Sequence, residues 1–190
     1  MKILLGHKVG MTQLWNDKGK FISATVIKAE PNRIIRQNDT TLVGLGVNGK
    51  TNKPQQKIAE DLGSKKGIWL KKTDAVEGDS LTVEQFEVGE DVSVSGVTKG
   101  KGFAGGMKRH GFHGGPKTHG SNQHRAPGSI GAQQPQRVPK GQKMAGRMGG
   151  ANLTVYGNKI ISINKEENLL VVTGAVPGPA KGKVVVQAHV

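Results

Sequence analysis

The residues best suited to chemistry lie between Lys99 and Gly150, where glycines alternate with lysines and flat rings alternate with arginines. In TKGKGFAGGMKR (98–109), Gly100, Gly102, Gly105 and Gly106 let the backbone approach a partner and uncover its N–H groups. Lys99, Lys101, Lys108 and Arg109 supply charge to phosphates. His110, Phe112, His113, His119 and His124 interleave rings with Arg109 and Arg125, a mixture that stacks on unpaired bases and hydrogen-bonds sugar hydroxyls. Folded RNA fits this chemistry better than plain duplex DNA. Lys117, Arg137, Lys140, Lys143 and Arg147 continue the basic series, with Gln133 and Gln134 between them. Pro116, Pro127, Pro135 and Pro139 stiffen short extended stretches and reduce the entropy lost on docking.

The charge distribution names the partner class. No acidic residue occurs between Asp91 and Glu166, while that stretch carries twelve Lys and Arg of a chain whose net charge is +14. Residues 1–91 hold fourteen bases against twelve acids, and residues 166–190 hold two of each. A near-neutral body with one acid-free basic segment carries a localised footprint for a polyanion, here nucleic acid.

Other chemistries are weaker. Gly100 to Gly105 match G-x-G-x-x-G after an expected strand, but the residues that follow predict no helix, and no acid stands about twenty residues on. A dinucleotide site is therefore not expected. His110, His113, His119 and His124 have no Cys, Asp or Glu beside them and are irregularly spaced, so no metal and no cofactor is expected. Ser121, His124 and Ser129 lack an acidic partner for a hydrolase triad. Lys65, Lys66, Lys71 and Lys72 read as a solvated face, and Trp15, Phe21, Trp69 and Phe86 as core residues.

The segment cannot position itself. Fourteen of the 29 glycines fall in 99–150, and its large apolar side chains, Phe103, Met107, Phe112, Ile130, Val138, Met144 and Met148, follow neither helical nor strand spacing. Ordering about fifty residues costs many tens of kcal/mol with little apolar burial to offset it, so its tip is expected to be mobile on its own. The positioning elements must lie outside it. Residues 20–29, 41–47, 92–98, 153–164, 168–173 and 183–188 are short, rich in Val and Ile, and punctuated by Gly, Asn or Pro. They predict a mainly β body, a small barrel or sandwich, built from 1–30, 88–98 and 151–190. Residues 31–87 read as an α+β insertion, with a helix near Pro54 to Leu62 and a strand at Ser80 to Phe86. Residues 99–150 form a long extended basic loop, a finger that leaves and re-enters the body. At roughly 3.3 Å per extended residue, folded out and back, it reaches at most about 85 Å. The chain has no cysteine, which removes disulfides and thiolate sites, and no apolar stretch of about twenty residues. A soluble cytoplasmic protein with no membrane partner and no small-molecule substrate is expected.

Five colinear blocks carry a resemblance. Phe86 through Val97, Thr98, Gly100, Lys101, Gly102, Gly105 and Arg109 resembles the signature of the large-subunit ribosomal protein three family. GHKVGMTQLW (6–15), HRAPGSIG (124–131), KGQKMAGRMGG (140–150) and LLVVTGAVPG (169–178) are similar to further blocks of its bacterial form, in family order. Ser93 stands where that signature has Asp or Asn, AQQPQRV (132–138) is one residue shorter than usual, and Pro139 replaces a commonly aromatic residue.

The resemblance implies a structural component of the large ribosomal subunit. Its body would be a translation-protein-type β-barrel, with a loop threading the 23S-type ribosomal RNA toward the peptidyl transferase centre. It further implies early action in assembly and large-subunit proteins fourteen and nineteen as neighbours. Lys99, Lys101, Lys108 and Arg109 would contact RNA at the finger's root, His124, Arg125, Lys140, Lys143 and Arg147 along its arms, and Gln133 and Gln134 toward its tip. Some members are methylated near that tip, which implies Gln134, or Gln133, as acceptor. Two other readings compete: an RNA-processing enzyme using His110 to His124 as acid and base, and a general nucleic-acid architectural protein with little preference among duplexes.

Overall fold

The computed structural model describes residues 2–15, 19–37, 40–47, 52–61, 67–73 and 79–188. It divides into two compact units, residues 1–98 with 152–190, and residues 99–151.

The first unit is mainly β. Strands β1 (Ile3–Trp15) and β2 (Phe21–Lys28) form a hairpin, followed by β3 (Asn32–Gln37), β4 (Thr40–Val47), helix α1 (Lys53–Asp61), β5 (Gly67–Thr73), β6 (Ser80–Leu81) and β7 (Asp91–Val97). The second unit carries β8 (Phe103–Ala104), helix α2 (Gly106–His110) and β9 (Gly146–Arg147). The chain then completes the first unit with β10 (Asn152–Asn164), β11 (Leu169–Thr173) and β12 (Lys183–Ala188). In the order β1-β12-β7-β10-β11-β2 every neighbouring pair is antiparallel, and β2 pairs back with β1, so this sheet closes on itself. A second sheet runs β5-β4-β3-β6.

One apolar cluster serves both sheets. It joins Ile3, Leu4, Leu5, Ile27, Val92, Val94, Ile160, Leu170, Val172 and Val184 of the closed sheet with Val43, Leu45, Leu81, Val83 and Phe86. Ile3, Leu4 and Leu5 are all fully buried because β1 touches β4 as well as the closed sheet's interior. Asn32, also fully buried, donates from Nδ2 to the Leu5 carbonyl at 3.0 Å and accepts from the Leu5 N–H at 2.8 Å. It satisfies β1 on the side that β2 does not reach, since β1–β2 pairing begins at His7. The buried Lys8 sends its Nζ to the Val176 carbonyl at 2.8 Å.

Several expectations are corrected. The strand expected at Ser80 to Phe86 is two residues long and gives way to a 3-10 turn, Val83–Gln85. That turn swings Val83 and Phe86 into the core while Gln85 Nε2 donates to the Ile3 carbonyl at 2.9 Å. Trp15 and Phe21, expected inside, are 66% and 60% exposed. They are the last register pair of a hairpin that outruns its neighbours, since β12 pairs only Ile3 to His7 and β11 only Ala24 to Lys28. Their rings instead pack on each other, centroids 3.6 Å apart. Phe86 is buried, and Trp69 is half-buried against the core. Lys71 and Lys72 are exposed on β5, whereas Lys65, Lys66 and Leu62 lie outside the described residues.

Candidate nucleic-acid interface

The chain leaves the first unit after Val97 and returns at Asn152, two residues that pair with each other at the end of the β7–β10 ladder. Within 99–151 the only buried residue is Ala104, so no apolar core orders this unit. Backbone bonds do. Lys101 N–H donates to the Met148 carbonyl and Met148 N–H to the Gly102 carbonyl, both at 2.8 Å. The ladder continues as β8 against β9, with Phe103 opposite Arg147. Gly149 lies against the Lys99 carbonyl with φ +71°, a position where a Cβ would collide with backbone. Glycine there permits the two arms to touch.

A helix does follow Gly105, contrary to expectation: α2, Gly106–His110. Gly111 ends it in the left-handed conformation at φ 74°, and its N–H bonds back to the Gly106 and Met107 carbonyls. Five residues suffice for one turn, and no acidic side chain follows for a ribose, so the dinucleotide reading gains nothing. The helix aims Arg109 and His110 at the returning arm. Arg109 Nη1 donates to the Met144 carbonyl at 2.8 Å, and His110 Nε2 lies 2.9 Å from the same oxygen. His110 also faces Phe112, ring centroids 5.8 Å apart.

Beyond this root, Gly115 N–H donates to the Gln123 carbonyl at 2.9 Å, a second tie that closes the loop carrying Lys117 and His119. Every residue from Asn122 to Ala145 is exposed, including His124, Arg125, Gln133, Gln134, Arg137, Lys140 and Lys143. Lys99, Lys101, Lys108, His113, Lys117, His119 and Arg147 are exposed too, and His110 is half-buried. The structure thus gathers Lys101, Lys108, Arg109, His110 and Arg147 around one short ladder, and strings the others along exposed chain. Among the described residues no three His, Cys, Asp or Glu side chains converge as a metal site.

Sequence reasoning misses the Met144 carbonyl. A backbone acceptor leaves no trace in residue type, and only its position, opposite a helix that the glycines do not announce, reveals it. The exposure of Trp15 and Phe21 is also missed, because aromatic residues in strands read as core.

The family model described as Ribosomal protein L3 matches residues 16–176. The chain belongs to the ribosomal protein L3 family. It is 44% identical over 196 residues to the large ribosomal subunit protein uL3 of Natranaerobius thermophilus, covering 95% of this chain and 93% of the relative. It is 42% identical to the protein of the same name from Bacillus cytotoxicus over 204 residues, covering 100% of this chain and 97% of the relative. The Bacillus mycoides counterpart is 43% identical with the same coverage. Membership of this ribosomal protein L3 family sets the enzyme reading aside, since these relatives are ribosomal proteins.

Proposed function

We propose that this ribosomal protein L3 family member is a structural constituent of the large ribosomal subunit, in the cytoplasmic ribosome, and that residues 99–151 bind its ribosomal RNA. The observation that carries the reading is a long, acid-free, basic stretch, exposed throughout 122–145, held by a few backbone ties and lacking any core of its own. Such a segment gains its burial and its counter-charge from a partner. Lys99, Lys101, Lys108, Lys117, Arg125, Arg137, Lys140, Lys143 and Arg147 neutralise phosphates, and His113, His119 and His124 stack on or hydrogen-bond unpaired nucleotides.

The closed six-stranded sheet serves as the translation-protein-type barrel that anchors the finger. The protein acts early in assembly, its finger extends toward the peptidyl transferase centre, large-subunit proteins fourteen and nineteen are its neighbours, and Gln134, or Gln133, is the methyl acceptor. It supplies shape and charge, and the RNA supplies the chemistry of peptide transfer.

Replacing Lys99, Lys101, Lys108 and Lys117 together with Ala tests this. The prediction is a folded protein whose affinity for large-subunit ribosomal RNA falls and whose log-log salt slope shrinks by about one unit for each phosphate no longer neutralised. An unchanged slope contradicts the reading, and equal affinity for an arbitrary duplex favours a general architectural protein instead.

A further inference from the structure

The second unit holds an open recess of about 360 Å³, lined by residues 111–115, Gln123 and residues 126–128. Its volume lies in the range of sites for one small ligand, roughly 300–1,000 Å³, and is far too small for a duplex. We propose that it receives a single unpaired nucleobase of the RNA, an inference that rests on the RNA-binding reading above and names what one part of that surface recognises.

The walls are suited to a base. Gly114, at φ +77°, packs against the His124 carbonyl so closely that a Cβ would overlap it, and a Cβ on Gly115 would lie 2.8 Å from the Gln123 carbonyl. The bare backbone of Gly114 and Gly115 therefore lies directly against the backbone of Gln123 and His124 as one wall, joined by the bond from Gly115 N–H to the Gln123 carbonyl. Phe112 is held from behind: its Cδ2 comes within 2.7 Å of where a Cβ on Gly106 would be, and His110 flanks its ring. A fixed, half-buried aromatic ring beside a slot is a stacking surface, and Pro127 offers a second apolar edge.

Polar groups remain to read the base. The imidazole of His113 and the side-chain amide of Gln123 are exposed, and neither makes a hydrogen bond within the described residues. Imidazole and amide together provide donors and acceptors for a Watson–Crick or Hoogsteen edge. No carboxylate lies in the whole segment to repel the attached phosphate, while Lys108 and Arg125 stand near the lining residues in sequence. A glycine backbone wall, one pinned ring and two uncommitted polar side chains around an open recess together favour a nucleobase over a bare phosphate.

The test is a titration of the full-length, nitrogen-15-labelled protein with AMP, GMP, CMP and UMP, followed through its amide resonances, with inorganic phosphate as control. Saturable shifts are expected at Gly111, Gly114, Gly115 and Gly128 with at least one nucleotide and not with phosphate, weakened about tenfold by His113→Ala combined with Gln123→Ala. Neither side chain holds the unit together, so that double variant keeps the fold. Absence of shifts at these glycines, or equal shifts with phosphate, overturns the cradle. Binding of large-subunit ribosomal RNA, measured on the same sample, separates the two claims: retained RNA binding confines the failure to the cradle, and lost RNA binding extends it to the parent reading.

Discussion

Arg109 donates from Nη1 to the carbonyl oxygen of Met144 at 2.8 Å, across a sequence separation of 35 residues. A residue that sequence alone assigns to phosphate binding therefore spends part of its guanidinium on holding the two arms of the finger together. Its other donors remain available for a phosphate, because the planar fork carries five N–H groups. Arg109 thus both shapes the root and charges it.

Arg109→Ala is expected to loosen the root without touching the body. The bond is exposed, so its removal costs about 0.5–1.5 kcal/mol of local stability. Hydrogen exchange is the measurement: the Lys101 and Met148 amides lose protection, while Leu5 and Val94 keep theirs. Unaltered protection at Lys101 and Met148 would show that the tie is not structural.

The two glycines flanking Arg147 and Met148 are expected to differ in tolerance. A Cβ on Gly146 meets Arg109 Nη1 at 2.5 Å, the far end of a flexible side chain that moves aside. One on Gly149 meets the Lys99 backbone carbonyl, and the φ of +71° adds about 1–2 kcal/mol of backbone strain for any L side chain. Gly149→Ala should abolish the Lys101–Met148 protection outright, whereas Gly146→Ala, which displaces only the Arg109 tie to Met144, should lower it no further than Arg109→Ala does. Equal effects would show that the close approach of the arms is not what fixes the ladder.

The reach of the sequence is clear from particular elements. β2, β4, β7, β10, β11 and β12 each fall within one or two residues of their expected ranges, because Val- and Ile-rich runs bounded by turn residues report strands locally. β1 escapes that pattern: Ile3, Leu4 and Leu5 form a continuous run buried on both faces, which carries no period of two. β3 and β5 escape because each mixes basic residues into a strand of the second sheet. In the finger, residue types point to charge and stacking. The register of Lys101 with Met148 and the anchor at Met144 depend on backbone atoms and on chain closure over dozens of residues, which composition does not encode.

Glu90 gives the fold an acid-sensitive ion pair. Burial pushes its carboxyl up, but the hydrogen bond from Lys2 Nζ at 2.9 Å, the Glu87 N–H and the Lys2 charge together outweigh it and hold the group below the ordinary carboxylate value. A depressed folded-state pKa contributes stability that is present above the unfolded pKa and lost as pH falls through the folded one. Thermal midpoints of wild type and Glu90→Gln should therefore differ at neutral pH and converge as pH falls below the ordinary carboxylate range. A constant difference across that range would contradict the assignment.

Phe86 and Trp15 should separate burial from aromaticity. Phe86 is 3% exposed in the shared core, so Phe86→Ala is expected to cost about 3–5 kcal/mol. Trp15 stands exposed on the projecting hairpin with its ring packed on Phe21, and Trp15→Ala should shift stability by less than about 1.5 kcal/mol. Chemical denaturation of the two variants measures both, and a Trp15 cost matching that of Phe86 would place the indole in the core.

The most direct test of the structural role is whether the tagged protein stays with large ribosomal subunits through a high-salt wash that strips peripheral binders. A coreless finger that docks into ribosomal RNA as proposed predicts retention, because burial and shape as well as charge then hold it in place. Release of the protein at the same salt that removes peripheral factors would contradict a built-in structural role and leave only a surface electrostatic association.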